Sequence, residues 1–443
     1  MQNTIKKIII ILTIIVLGVG IFFGVKFYQN SNPKNSRTPS NTVKNTDRGR
    51  TPFQTRVSTS TGVETIVEDT QPVINPESAA VLKKPRLVQL WKDPVSGFDF
   101  VYKDIEISAT TTTISTSTII KNIVNKNILK NQEYIYLWDR KTGHIYENLA
   151  STTEVSKISN YTLPGAEDVY FADNSSVVVR KLKDDNDTID TFYIKLEKEF
   201  STSTTYKANI RDINIDSSNI AFLGSVKKVF YFINKTGKGI ITSIDGSTRT
   251  SAISTSVSEW LSQYVNKDLI TLTTKPSAYF KGYLFTLSTN GLGKNIYILG
   301  EKYGFNTLTS PDGKKVIYNE ILNNTLETFI YDIKSKSSTY LSQATLIDKC
   351  VWTLDSKKVY CGIPQKLYEA PYPDAWYKND VSFADNIWSI NAESGKFSIT
   401  IPLQDQVSTP IDVYKMVVSS SGKYLLFQNK NDLTLWKYNL TLE

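Results

Sequence analysis

The chain has 443 residues, 12% of them aromatic, with 25 Tyr, 2 Met and a net charge of +8. That length exceeds one ordinary core unless the fold repeats, and the abundance of Tyr, Thr, Ile and Val suits pleated strands and argues against a helical bundle. The 12 Lys and Arg before Leu87, set against 5 Asp and Glu, hold nearly all the excess charge. The remainder is close to neutral, which argues against a nucleic-acid partner.

The first element is an apolar run that opens at Ile8 and closes at Val25, 18 residues without a charge. As a helix it would span roughly 27 Å, enough for most of a bilayer's hydrocarbon core. Lys6 and Lys7 abut it. The spacing predicts a transmembrane anchor over 1–27. A cleaved signal peptide is the rival reading, although no Ala-x-Ala site follows. The positive charges on the two sides do not decide orientation by count. The short N-terminus favours a cytoplasmic N-terminus and an extracytoplasmic remainder.

Residues 28–85 are rich in Asn, Ser, Thr and Pro and lack apolar periodicity. They read as a disordered linker of about 40–45 Å r.m.s. reach. Its simplest role is to tether a domain that stands off the membrane.

After Pro85 a period of 40–50 residues emerges. Its clearest unit begins SPDGKKVIYNE at Ser310 and continues TFIYDIKSKSST. Pro at the second turn position and Gly at the left-handed one predict a type I turn with a bulge opening onto an alternating strand. Similar units begin near Thr353, Ser420 and Asp216. Looser copies lie at 172–196, 266–296 and 94–147, the last with YIYLWDRKTGHIY. The count is seven, or six if the terminal fragments complete one blade between them. The segments 87–91 and 433–440 are the candidates for ring closure.

The SPDGK turn, its strand and the following aromatic hairpin resemble the repeats of TolB and its WD40-like relatives over roughly 86–443. The resemblance implies an all-β propeller of four-stranded blades packed radially. TolB proteins carry an α/β domain where this chain has its apolar run and linker. Partners and roles therefore do not transfer, and propellers host unrelated functions.

Two Cys, Cys350 and Cys361, flank the hairpin CVWTLDSKKVYC. A four-residue loop at 354–357 would place them directly opposite, within reach of a disulfide. A three-residue loop would turn them to opposite faces. A disulfide, reduced core thiols and, remotely, a redox or metal site are the alternatives.

Residues 363–384 interrupt one unit. They bring Tyr368, Tyr372, Asp374, Trp376 and Tyr377 into a proline-rich stretch that reads either as an interaction loop or as a cover folded back on the propeller. The polar tip KDDNDT at 183–188 reads as a solvated turn, since a calcium loop needs more spaced oxygens and a closing Glu. The low-complexity run 110–118 reads as an exposed insertion in the first unit.

No nucleophile elbow, phosphate loop or dinucleotide fingerprint occurs. With one histidine, His144, a His-based triad, a His-rich zinc site and an axial-His haem are disfavoured. The expectation is a chain that is not an enzyme, with no catalytic residues, metal or cofactor. It would be a membrane-tethered scaffold of the cell envelope that binds a protein or peptide. The alternative is a glycan-binding or carbohydrate-active propeller, suggested by the many Tyr and Trp; such catalysis would need only two carboxylates brought together.

Overall fold

A computed structural model of the chain describes residues 85–441, apart from 114–121, 186–187, 199, 201–202, 234–235, 258 and 291–292. For 106–113 and 122–129 the description is of the backbone. The apolar run from Ile8 to Val25 and most of the linker lie outside the described residues. Among the described residues no helix is long and apolar enough to cross a membrane.

The described strands form seven four-stranded antiparallel sheets, a seven-bladed propeller. Six blades are consecutive meanders over 95–157, 166–212, 220–254, 260–302, 307–341 and 350–401. The seventh takes three strands from 413–439 and its outermost strand, Leu87–Trp91, from the start of the fold. Leu87 sits opposite Tyr438 and Trp91 opposite Leu435. The six-blade alternative fails because the unit at 94–147 is a complete blade and does not share its strands with the C-terminus. Closing the ring this way leaves the last blade no unpaired third strand.

The first strand of each blade lies at the hub, where neighbouring first strands such as Val95–Thr113 and Ala166–Phe171 meet. Seven apolar cores fill the spaces between blades, because alternate residues of a strand point to opposite neighbours. Val177 and Val179 pack toward blade 1, while Val178 between them packs toward blade 3. At the hub, blade 1 approaches blade 2 so closely that a Cβ on Gly97 would lie 2.1 Å from the Val169 carbonyl oxygen. Only Gly fits there.

The repeated turns between first and second strands gather on one end, the turn face. The SPDGK turn has the predicted form. Gly313 sits at φ +72, its N–H donates to the Ser310 carbonyl at 2.8 Å, and the Ser310 N–H donates to the Lys315 carbonyl at 2.8 Å. Neighbouring turns interlock: Asn266 Nδ2 donates to the Pro311 carbonyl at 3.0 Å, and the Asp312 N–H donates to Ser356 Oγ at 3.1 Å. The chain also enters on this face, since Leu87 pairs near the turn-face end of the strand Leu435–Asn439.

The exposed insertion expected at 110–118 begins as regular structure. Val95–Thr113 and Asn122–Asp139 pair in one ladder out to Thr113 opposite Asn122. The blade's third strand, Ile145–Leu149, pairs only with Tyr134 to Trp138. The hairpin therefore continues past the blade on the turn face. Its base is held by blade 7: Ser421 Oγ donates to Glu133 Oε2 at 2.7 Å, and the Ser420 N–H to the Tyr102 hydroxyl at 3.0 Å.

Candidate functional site

The opposite end carries the insertion. It leaves the strand Lys358–Pro364 and returns at Asp385–Asn391. The hairpin beneath it has the four-residue loop. The Thr353 N–H donates to the Lys358 carbonyl at 2.9 Å, so Cys350 faces Cys361 with Cα atoms 4.1 Å apart, and the two form a disulfide.

The centre of the insertion is a one-turn helix, Asp374–Tyr377, entered through a cis Tyr372–Pro373 bond. Trp376 is 1% exposed and Tyr372 2%, and with Phe383 they pack on Leu326 and Leu346. The Trp376 indole N–H donates to Asp412, 3.0 Å from Oδ2. Asp412 belongs to a fully buried group. Lys349 Nζ donates to Asp385 Oδ2 at 2.6 Å and also to Asp412. The Ser382 hydroxyl and the Phe383 N–H donate to Asp412 Oδ2 at 3.1 and 3.2 Å. Burial pushes the Asp385 carboxyl up to about 6, against the pull of Lys349. Its Oδ1 has no hydrogen-bond partner among the described residues.

Two further ties spread the insertion over the face. Asp374 accepts from the Ala278 N–H at 2.7 Å and the Ser277 hydroxyl at 3.2 Å, both in blade 4. The Tyr377 hydroxyl donates to Asp348 Oδ2 at 3.0 Å, and Asn306 Nδ2 reaches the same oxygen at 2.7 Å. Burial raises the Asp348 carboxyl, and those two hydrogen bonds oppose the rise. The insertion thus covers blades 4 to 7.

The expected interaction residues divide accordingly. Tyr372 and Trp376 are not available to a partner; burying their rings against the propeller removes more apolar surface from water than leaving them on a loop. Asp374 is spent on Ser277 and Ala278. Tyr368 and Tyr377 remain 49% and 40% exposed. The sequence reading missed the loop that Asp374 holds. There Tyr279 and Phe280 are 60% and 74% exposed. Tyr303 and Leu322, also exposed, lie beside it: the Gly304 N–H donates to the Ser277 carbonyl at 2.8 Å and the Ile321 N–H to the Tyr303 carbonyl at 2.8 Å. The available signal was two adjacent aromatics in a short polar loop, KPSAYFK.

Beside the insertion, the hub keeps a cavity of about 290 Å³ walled by blades 7, 1, 2 and 3. Asp168 here is tied to Lys415 at 2.9 Å and Arg180 at 3.3 Å. Burial pushes its carboxyl up, but Lys415 and Arg180 hold it below the usual range. Asp99 is half-buried, enclosed by protein yet open to the cavity, and burial pushes its carboxyl up to about 7. Among the described residues no group of His, Cys, Asp and Glu is placed to hold a metal ion.

No family model and no curated protein matches the chain. Solved structures similar to it include TolB from Acinetobacter baumannii, at 10% identity over 77% of this chain and 80% of that one, with a TM-score of 0.38. An oligogalacturonate lyase in complex with manganese is similar at 10% identity over 78% of this chain and 98% of that one, TM-score 0.44. The tricorn protease is similar at 8% identity over 69% of this chain, TM-score 0.45, but the chain spans only 32% of that protein's length. The TolB-like reading of the repeats holds for the fold, which the strand pairing itself shows. The expectation of a chain that is not an enzyme is corrected: propellers similar to this one include a lyase, and missing sequence motifs exclude no catalysis. At these identities and TM-scores no reaction transfers either.

Proposed function

We propose that this chain is a membrane-tethered, extracytoplasmic propeller that binds a protein or peptide of the cell envelope through its insertion face. The observation that carries the reading is the exposed pair Tyr279 and Phe280 on a loop pinned by Asp374. Exposed aromatics on a pre-ordered base are the usual anchors of an interface, because their area is buried at little cost in side-chain freedom. Tyr368, Tyr377, Tyr303 and Leu322 widen the surface.

Two further features support the setting. The disulfide suits an oxidising compartment. The outer strand Leu87–Trp91 begins on the turn face, so the residue that leads into the fold lies at the end opposite the insertion.

Proximity labelling in intact cells, with the label fused after Glu443, tests the proposal. Envelope proteins should be recovered with the wild-type chain and lost with the Tyr279→Ala, Phe280→Ala double variant. Recovery of cytosolic proteins alone would overturn the compartment, and unchanged recovery with the double variant would overturn the face. Oligosaccharide binding by the purified chain, abolished by the same variant, would assign the aromatic loop to sugar stacking instead.

A further inference from the structure

Lys349, Asp385 and Asp412, beneath the insertion, have fully buried side chains. Ionised together, one ammonium and two carboxylates would leave a surplus negative charge in the interior, which is costly. Burial keeps the Asp385 carboxyl neutral further up the pH scale than usual. Its two oxygens have different surroundings. Oδ2 accepts from Lys349 Nζ at 2.6 Å and from the Val413 N–H at 2.7 Å. Oδ1 has no partner among the described residues. Asp412 instead gathers donors from Lys349, Trp376, Ser382 and Phe383. The rings of Trp376 and Phe383 lie against the ammonium, with centroids 5.4 and 4.5 Å from Nζ. An amine, a neutral carboxyl and a second carboxylate are therefore held in contact, away from solvent.

We infer that Lys349 and Asp385 condense in the folded chain to an intramolecular amide, with Asp412 as the group that moves the protons. Asp412 takes a proton from the Lys349 ammonium, and the freed lone pair on Nζ attacks Cγ of the neutral Asp385 carboxyl. Nζ already lies 2.6 Å from Oδ2, and Cγ is one carbon–oxygen bond of about 1.2 Å beyond, so attack needs no large movement. The carbonyl electron pair moves onto Oδ2, where the Val413 N–H stabilises the developing charge. The Cγ–Oδ1 bond then breaks as the pair on Oδ2 restores the carbonyl. Oδ1, the oxygen without a partner, leaves with its own proton and one returned by Asp412, as water. Asp412 finally removes the extra proton from nitrogen. The three ammonium protons and the carboxyl proton thus end as one amide N–H, two in water and one on Asp412. The ion pairs described above are the state from which the bond forms. Residues 363–384 lie between Lys349 and Asp385, so the bond closes a covalent loop around the insertion. The inference rests on this buried group and is independent of what the insertion face binds.

Tryptic mapping of the full-length chain by mass spectrometry tests it, after reduction and alkylation so that the Cys350–Cys361 bond joins nothing. Residues 337–357, uncut after Lys349, and residues 379–396 should be recovered as one branched peptide, lighter than the two together by one water. A folded Asp412→Asn chain should lose the branched peptide and give the two segments apart, cut after Lys349. Wild-type chain that is folded and yields only the separate peptides overturns the proposal. A branch joining residues 337–357 to 397–415 overturns Asp385 as the acceptor. An undiminished branched peptide from folded Asp412→Asn overturns the role of Asp412. If that variant does not fold, the wild-type map decides alone.

Discussion

Trp376 and Asp412 are joined by a buried hydrogen bond from the indole N–H to the carboxylate, 3.0 Å from Oδ2. They stand 36 residues apart, one in the insertion and the other at the start of blade 7. Through this bond the insertion is locked to the propeller at the carboxylate that also receives Lys349. Trp376→Phe keeps an aromatic ring and removes the donor. The expected loss is about 1–3 kcal/mol, the cost of leaving a buried charged acceptor short of one partner, measured by urea denaturation. An unchanged midpoint would mean the insertion is not locked there.

Lys349 stands between two fully buried carboxylates. Lys349→Met should destabilise the chain by about 3–5 kcal/mol, because it removes the only side-chain cation that Asp385 and Asp412 are paired with among the described residues. Replacing all three as Lys349→Met, Asp385→Asn and Asp412→Asn should recover part of that loss in the same measurement. No recovery would show that the damage comes from packing and not from unpaired charge.

Asp99 sets a pH dependence whose sign follows from its raised carboxyl. The folded chain holds this proton up to about pH 7, whereas the unfolded chain releases it near 3.8. The folded state therefore binds more protons in that window. Its contribution to stability is fully present below pH 3.8 and is lost as pH rises to about 7. Subtracting the stability curve of Asp99→Asn from that of the wild type should leave a difference that falls over this interval. A flat difference would place the Asp99 carboxyl in the ordinary range.

The Cys350–Cys361 bond closes a hairpin that is already local, with 11 residues of separation. Its loss, as Cys350→Ala with Cys361→Ala, should cost about 1–3 kcal/mol, the low end of disulfide effects, because a short loop has little unfolded freedom to restrict. Alkylation of the chain taken from its native compartment, followed by mass spectrometry, should find one linked peptide. Two freely alkylated thiols would count against the extracytoplasmic setting.

Ring closure rests on Leu87 opposite Tyr438. Removing residues 87–91 should leave the strand Leu435–Asn439 with an open edge, exposing the ladder to other chains. Size-exclusion chromatography should show aggregation. A monomer with unchanged melting would mean that the outer strand contributes nothing to closure.

The blades were legible in the amino-acid order because their signals are local. Pro311, Asp312 and Gly313 meet the backbone demands of one turn, and the alternation of Val316, Ile317 and Tyr318 addresses two neighbouring cores. Such features depend on residues a few positions apart. The disulfide was legible only up to a choice between two loop lengths, since one residue in the turn reverses the face of everything after it. Tertiary structure decided what depends on distant partners. The segments 87–91 and 433–440 could be named as candidates for ring closure, but the register of Leu87 opposite Tyr438, and the four complete strands over 95–157 that settle seven blades over six, came only with the fold. Trp376 and Phe280 are both aromatics in polar loops, and composition cannot separate them. Trp376 is buried because Asp412 and Lys349 wait beneath it, whereas Phe280 is left exposed because the Ser277–Asp374 tie fixes its loop without covering it.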